Sequence, residues 1–287
     1  MYRLIYYPWL TQNVPQNEIA GQISVFARLI EDELRKLGHA DPRVEVLPPV
    51  DVPEQIEQVV TRGAVIALMN PLGFIFARSR TGDAEAVAVA KRIIDGKIGV
   101  VYFAQLYAHK KSAICGLRDA ADKSVGYGHP YSTSNFLIPA FMLREAGVHP
   151  LFAFNRVEFL KGHEIVARAV YEGKVDIGAG HDGVIIDLAR QPGYGDAGDV
   201  LVQVARSKPI PSDPVVVTVR DAAERETLKR AIVAAGNTAP GVEAMKIFWG
   251  NTQGLEPTTT EFYAVLSDAL KALKLDQSDL LPSRKQP

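Results

Sequence analysis

The sequence predicts an α/β protein made of two lobes that are joined by two extended crossovers. Two observations support this class: short apolar β-rich runs alternate with amphipathic helical patterns, and two long extended runs interrupt that alternation. The extended runs are IGVVYFAQLYAHK after Lys97 and the proline-punctuated SKPIPSDPVVVTV after Arg206. We predict one discontinuous lobe over 1–105 and 207–287 and a second over 106–206. A single large doubly wound sheet is the alternative.

The N-terminal third alternates strands with helices, an order that implies parallel strands and right-handed crossovers. Strand patterns cover Arg3–Tyr7, the RVEVLPP run and Gly63–Met69. Helical patterns cover Asn17–Leu37, Glu54–Thr61 and Pro71–Arg80. The first helix is the most regular, because its apolar residues recur every three or four positions and Gly38 closes it.

The middle of the chain repeats the alternation after a run that is too long for an ordinary strand in one sheet. Its strand patterns are SVGYG, RVEFL, VDIGA and VLVQVA, and its helical patterns are Thr133–Ala146, Glu164–Glu172 and Gly183–Ala189. Three further helical patterns cover Ala222–Ala235, Gly241–Phe248 and Thr260–Leu273 and are expected to return to the first lobe. Each lobe is therefore predicted to hold a mixed, mostly parallel sheet, and the crossovers are expected to act as hinges.

Composition limits the classes of function. The chain has 287 residues, 47% of them hydrophobic, which is ample for a buried core, and its formal net charge of −1 gives no support for a nucleic-acid or anionic-membrane partner. Cys115 is the only cysteine, which excludes an intrachain disulfide and a multi-cysteine metal site. No run is long enough to span a bilayer, and no signal peptide is recognised, so a cytoplasmic protein and a processed extracytoplasmic domain both stay open.

Three consecutive small hydroxyl side chains, Ser132, Thr133 and Ser134, stand where a predicted strand gives way to a helix. Helix N-termini carry partial positive charge and unpaired N–H groups, and ligands of parallel α/β sheets lie beyond the carboxyl ends of the strands. A cap requires one hydroxyl only. The run therefore predicts either a site for a tetrahedral oxyanion or plain helix capping.

Three separated motifs, GHPYSTSNFLIPAFMLREAGVHP, LKGHEIVARAVYEGKVDIGAGHDGV and ARSKPIPSDPVVV, resemble in order and spacing the phosphate/phosphite/phosphonate-binding proteins of ABC importers. The resemblance covers about residues 98–220, and the YYPWLTQ and MNPLGFIFA runs agree with it more weakly. It implies a type II periplasmic-binding-protein fold without catalytic residues, metal or cofactor. It also implies capture of a phosphorus oxyanion in an interlobe cleft, an ABC permease as partner and a periplasmic location after removal of a signal peptide.

The same resemblance implies a set of ligand-binding residues: Ser132, Thr133, Ser134, His163, Asp182, Asp213, Tyr102, Trp9 and Phe74. Each has an ordinary structural alternative, since Asp before Gly or Pro is common in turns and an aromatic residue in a buried strand is usually part of the core. The two carboxylates are expected to select ligands that carry a proton or an amine, such as monoprotonated phosphate, phosphite or an aminoalkylphosphonate, over sulfate.

Two departures from the family pattern bear on the ligand. Phe74 and Val52 stand where related proteins carry tyrosines, so the first lobe is expected to suit an alkyl group or a P–H bond. STSN replaces STSG, and Asn135 is expected to be tolerated inside the helix.

Two other classes of function stay open on the sequence. One is an enzyme built around Cys115 and some of the six histidines, although KKSAICGLRD carries no recognisable nucleophile signature. The other is a ligand-sensing module of the same fold that serves a signalling partner.

Overall fold

The structure, a computed structural model, describes residues 1–8, 14–63, 65–94, 96–250 and 252–274. Contacts divide the described chain into unit 1, Met1–Val101 with Pro211–Ala264, and unit 2, Tyr102–Ile210 with residues 265–274. The sequence placed these divisions at 105 and 207 and assigned all of 207–287 to the first lobe. Trp9 lies outside the described residues.

Strands and helices follow the predicted alternation. The strands are β1 (Tyr2–Ile5), β2 (Val44–Val46), β3 (Ile66–Leu68), β4 (Glu85–Ile94), β5 (Lys97–Gly99), β6 (Val101–Tyr102), β7 (Ala104–His109), β8 (Ser124–Tyr127), β9 (Arg156–Phe159), β10 (Ile177–His181), β11 (Leu201–Arg206), β12 (Ile210–Pro211), β13 (Pro214–Val217) and β14 (Thr252–Pro257). The helices are α1 (Gln16–Lys36), α2 (Val52–Val60), α3 (Pro71–Arg80), α4 (Ile138–Glu145), α5 (His163–Tyr171), α6 (Val184–Ala189), α7 (Ala197–Val200), α8 (Ala222–Gly236), α9 (Ala239–Trp249) and α10 (Ala264–Leu273).

Unit 1 contains one mixed sheet of strand order β14-β4-β13-β3-β1-β2, with β5 paired to β4. β1 pairs in parallel with β2 and β3, as the sequence predicts. β13 and β14 add antiparallel pairs on β4. The apolar stripe of α1 is buried, and this helix packs against α8 and α9. The sequence did not predict β4 or β14.

Unit 2 contains a sheet of order β11-β7-β10-β8-β9. β8 lies in parallel between β10 and β9, whereas β7 runs antiparallel to β10 and β11. The carboxyl ends of β8, β9 and β10 therefore meet at one edge of this sheet. That edge is where the sequence places its hydroxyl run and two of its other candidate residues.

α5 covers this sheet closely because β10 carries glycines. Val166 and Val170 of α5 join a buried cluster with Tyr107 of β7. A Cβ atom on Gly178 would lie 2.7 Å from Val170 and 2.8 Å from Tyr107, which is closer than atoms pack. The start of α5 is thereby held against the carboxyl end of β10.

Hydrogen bonds join the first residue of β8, Ser124, to Asp176, the residue before β10. The Ser124 N–H and Oγ donate to the Asp176 carboxylate at 2.8 and 2.5 Å. Burial acts to raise the pKa of Asp176, but these hydrogen bonds outweigh it and leave the pKa below its ordinary value. The link fixes β8 in register with β10.

The predicted long run after Lys97 is three strands, β5, β6 and β7. The chain passes between units at Val101–Tyr102 and returns at Ile210–Pro211, and these two segments pair as the short strands β6 and β12. Across the described ranges, no helix combines the length and the apolar character that a membrane crossing requires.

Candidate functional site

The hydroxyl run lies at the first turn of a helix that begins as a π-turn. Thr133–Leu137 is π-helical and continues directly into α4, and the Leu137 N–H donates to the Ser132 carbonyl oxygen at 3.0 Å. The Ser132 side chain accepts the N–H of Asn135 at 3.1 Å and so caps the helix. Capping thus accounts for one of the three hydroxyls.

The polar residues of this turn are buried, which is unusual for a helix start. Ser132, Thr133, Ser134 and Asn135 are 4%, 2%, 3% and 1% exposed. Buried polar groups are ordinarily hydrogen-bonded. The structure therefore supports an enclosed polar site at the carboxyl end of β8.

The Asn135 carboxamide stands out within this turn. Neither its Nδ2 nor its Oδ1 has a hydrogen-bond partner among the described residues. The sequence identified Asn135 only as a departure from the family pattern and expected it to be tolerated. That departure was the signal that pointed to this side chain.

His163 begins α5. The loop before it lies beside the turn Ser132–Asn135, which we call the serine turn. Leu160 and Lys161 donate their N–H groups to the Tyr127 and Gly128 carbonyl oxygens at 2.8 and 2.7 Å, which joins the loop after β9 to the loop after β8. Lys161 itself has a left-handed φ of 60°, which a side-chain-bearing residue seldom adopts. The structure therefore brings His163 to the edge of the sheet that holds Ser132.

His163 and His181 form a pair at this edge. Their ring centroids lie 4.7 Å apart, and the His181 N–H donates to His163 Nδ1 at 3.3 Å. Gly183 donates its N–H to His181 Nδ1 at 3.1 Å. Because each Nδ1 accepts a hydrogen bond from a backbone N–H, each ring in its neutral form carries its proton on Nε2. The His181 Nε2 lies 3.6 Å from Asp187, whose pKa is raised by burial.

Asp182 follows β10 at the same edge and has a cationic partner. Its carboxylate lies 3.5 Å from Arg206 Nη2, and the Arg206 guanidinium stacks 3.8 Å from the Phe103 ring centroid. Gln105 donates to the carbonyl oxygens of His181 and Asp182 at 3.0 and 3.3 Å. The sequence missed Arg206, which lies 24 residues from Asp182 and reaches it only through the pairing of β11 with β7.

Asp213 belongs to unit 1 and forms a buried ion pair. It is 5% exposed and pairs with Arg92, which also donates to the Trp249 carbonyl oxygen at 3.2 Å. The carboxylate charge is therefore balanced within the protein. From the sequence, Asp213 was expected to accept a hydrogen bond from a proton-bearing group of the ligand.

The aromatic candidates lie apart from the serine turn in the chain. Phe74 is fully buried in α3 and packs edge to face against Tyr263 at 5.2 Å, which is the environment of a core aromatic residue. Tyr102 is 8% exposed and lies where the chain passes between units.

Of the candidate residues, unit 2 brings together Ser132, Thr133, Ser134, His163 and Asp182 at the edge of the sheet where β8 and β10 end.

Neither a metal centre nor a cysteine site is indicated by the described part of the chain. It contains no group of three or more His, Cys, Asp or Glu side chains that is placed to hold a metal ion. Cys115 is exposed, and its backbone N–H donates to Asp119 at 3.0 Å.

Comparison with known families finds one match that spans most of the chain. A family described as the periplasmic substrate-binding protein of a phosphonate ABC transporter matches residues 11–263. This range includes every candidate residue of unit 2.

Solved structures with the same fold include a component of a phosphonate transporter and proteins in complex with methylphosphonate or ATP. A binding-protein component of an ABC phosphonate transporter from Pseudomonas aeruginosa is 19% identical, with a TM-score of 0.70 over 96% of this chain and 87% of that chain. PhnD1 from Prochlorococcus marinus in complex with methylphosphonate is 17% identical, with a TM-score of 0.70 over 95% and 98%. A Xanthomonas citri protein bound to ATP is 17% identical, with a TM-score of 0.77 over 98% and 99%. These similarities confirm the predicted type II periplasmic-binding-protein fold.

Proposed function

Since the chain belongs to the family of periplasmic substrate-binding proteins of ABC phosphonate transporters, we propose that it captures a phosphonate or a related phosphorus oxyanion at its serine turn. The family is non-enzymatic and implies an extracytoplasmic location and a permease partner. We propose the same role for this chain. The observation that carries the choice of ligand is the set of four consecutive buried polar residues, Ser132 to Asn135, at one helix start.

The turn is suited to a tetrahedral anion for two reasons. Backbone N–H groups and hydroxyls converge at the start of a helix, and the partial positive charge there favours a negative ligand. Enclosure strengthens each of these hydrogen bonds, because water does not compete for the donors. We propose that Ser132, Thr133 and Ser134 bind the phosphonate oxygens.

We propose that the residues around the turn add selectivity. His163 carries its proton on Nε2, so this nitrogen is a donor for a further ligand oxygen. Asp182 is an acceptor for a P–OH group or a ligand amine, and Arg206 limits the repulsion that its charge would otherwise exert on an anion. Sulfate has no proton to give at neutral pH, so Asp182 disfavours it.

The test is a panel of phosphate, phosphite, methylphosphonate, aminoethylphosphonate and sulfate in calorimetry and thermal unfolding. A ligand that binds only the folded state stabilises it by about 2.7 kcal/mol at 100 times its Kd. We expect at least one phosphorus anion to raise Tm by several degrees and to bind more tightly than sulfate. If no phosphorus anion binds, the proposed function is wrong.

A further inference from the structure

The Asn135 carboxamide is a buried polar group without a partner in the part of the chain that the structure describes. It is 1% exposed, and both of its polar atoms lack hydrogen bonds there. An amide removed from water in this way destabilises the fold unless something else satisfies it. Such a residue requires an explanation that lies beyond the stability of the free protein.

The carboxamide has no capping duty that would explain it. Ser132 already caps the helix. In a capping box, the side chain of the third helical residue, here Asn135, accepts the N–H of the N-cap residue. In this helix the Ser132 N–H donates to the His129 carbonyl oxygen at 2.9 Å instead. The backbone groups of Asn135 are also occupied, because its N–H donates to Ser132 and its carbonyl oxygen accepts the Gly128 N–H at 3.3 Å.

The side chain lies at the carboxyl end of β8, the end of the strand at which the ligand is proposed to lie. Cα–Cβ bonds of a helix tilt toward its N-terminus, so the side chain of its third residue folds back over the first turn. There it covers Gly128, the residue that follows β8. A Cβ atom on Gly128 would lie 2.3 Å from Asn135 Nδ2 and 2.6 Å from Cγ. The absence of a side chain at Gly128 therefore makes room for the carboxamide at the carboxyl end of the strand.

We propose that Asn135 is a specificity-determining contact of the oxyanion site. Its Nδ2–H donates to one ligand oxygen, and its Oδ1 accepts from a P–OH group or a ligand amine. A carboxamide can do both, whereas backbone N–H groups only donate. The favoured ligand is therefore a phosphorus oxyanion that carries a proton or an amine. This inference rests on the proposed function and adds a fourth side chain to the serine turn.

Two variants of the full chain separate ligand contact from a structural role. Asn135→Asp keeps the shape and replaces the donor with a carboxylate, and Asn135→Leu keeps a similar volume and removes both polar atoms. The control is Asn155→Asp, which makes the same change in unit 2 at an exposed residue just before β9, where Nδ2 donates to the Asp122 carbonyl oxygen at 2.7 Å. The probes are methylphosphonate and inorganic phosphate, measured by calorimetry at pH 8 and pH 5.5, with Tm of the free proteins.

We expect Asn135→Asp and Asn135→Leu to weaken methylphosphonate binding about tenfold or more at pH 8, and Asn155→Asp to leave it unchanged. The free Asn135→Leu protein should melt no lower than the parent, because it loses two unsatisfied buried atoms. For Asn135→Asp, the affinity relative to the parent should recover at pH 5.5 as the introduced carboxyl protonates, since burial and a neighbouring anion raise its pKa. A residue that lies far from the ligand would not give this recovery.

Parent-like affinity for methylphosphonate in folded Asn135→Asp and Asn135→Leu would overturn the role of Asn135 and leave the proposed function intact. A relative affinity of Asn135→Asp that is equal at both pH values would also overturn it. If the parent binds neither probe, the role of Asn135 stated here is overturned, whereas the proposed function fails only if no phosphorus anion of the full panel binds.

Discussion

Ser132 caps its helix in the way that Thr238 caps α9. The Ser132 side chain accepts the Asn135 N–H at 3.1 Å, and the Thr238 side chain accepts the Gly241 N–H at 3.1 Å. The two residues share one structural role, but only Ser132 belongs to the proposed anion site. The pair therefore separates a lost cap from a lost ligand contact.

We expect the double change Ser132→Ala and Thr133→Ala to abolish methylphosphonate binding. The free energy of unfolding should fall by only about 0.5–2 kcal/mol, the contribution of one cap. Calorimetry and urea unfolding measure the two effects. Thr238→Ala is the control and should show a similar loss of stability with unchanged affinity. Unchanged affinity in the folded double variant would contradict the site.

The two candidate aspartates differ in how firmly an arginine holds them. The side chains of Asp213 and Arg92 are 7% and 16% exposed, whereas those of Asp182 and Arg206 are 15% and 31% exposed and 3.5 Å apart. Removal of one partner from a buried pair leaves an uncompensated charge, which is strongly destabilising. Asp213 is therefore suited to stability, and Asp182 is suited to ligand selection.

We expect Asp213→Asn to lower the free energy of unfolding by about 3 kcal/mol, because Arg92 loses its partner. Asp182→Asn should change stability by less than about 1 kcal/mol, because its pair is looser and more exposed. It should weaken binding of aminoethylphosphonate by about 1.5–3 kcal/mol and relax the discrimination against sulfate. Urea unfolding and calorimetry test both. Parent-like ligand preference in Asp182→Asn would make Asp182 an ordinary turn residue.

Gly178 in β10 and Gly21 in α1 stand in opposite surroundings, so a side chain added at each is expected to have opposite effects on stability. A Cβ atom on Gly178 would meet Val170 and Tyr107 at less than 3 Å, whereas a Cβ atom on Gly21 would meet nothing within 4 Å. In β10, the missing side chain lets α5 lie close to the sheet and places His163 at its edge. In α1, the glycine only weakens an exposed helical position.

We expect Gly178→Ala to lower the free energy of unfolding by about 1–3 kcal/mol through overpacking. Gly21→Ala should raise it by about 0.5–1 kcal/mol, because alanine is the better helix former. Thermal and urea unfolding measure both changes. A stability gain in Gly178→Ala would show that Val170 and Tyr107 leave room for a methyl group at Gly178.

The chain passes twice between its two units, at Val101–Tyr102 and at Ile210–Pro211. The sequence predicts that the longer extended segments around these points, Gly99–His109 and Val202–Val219, act as hinges. A ligand that favours one arrangement of two units shifts the population toward it.

We therefore expect a saturating phosphorus anion to reduce the radius of gyration in solution scattering. The Ser132→Ala, Thr133→Ala double variant is the control and should give the same curve with and without the anion. Identical curves for the free and saturated parent would count against a hinged receptor.

Local patterns predicted most of the elements but missed β4. Its Val and Ile residues are typical of a strand, but they alternate with Ala and are interrupted by Lys91 and Arg92, so the run carries no continuous apolar β-rich pattern. The strand forms because β13 and β14 pair with it on either side. Likewise, the run after Lys97 was expected to be one strand, and it divides into three because different partners pair with its parts.

The sequence alone determined the alternation of elements, the family and the hydroxyl run at the helix start. Periodicity, capping and motif spacing are local properties, so they can be recognised without the fold. Only the tertiary structure decided which polar residues have protein partners. Asp213 is paired with Arg92 across 121 positions, whereas Asn135 is buried without a partner among the described residues. Sheet pairing and burial join residues that are distant in the chain, and no local pattern records which of them meet.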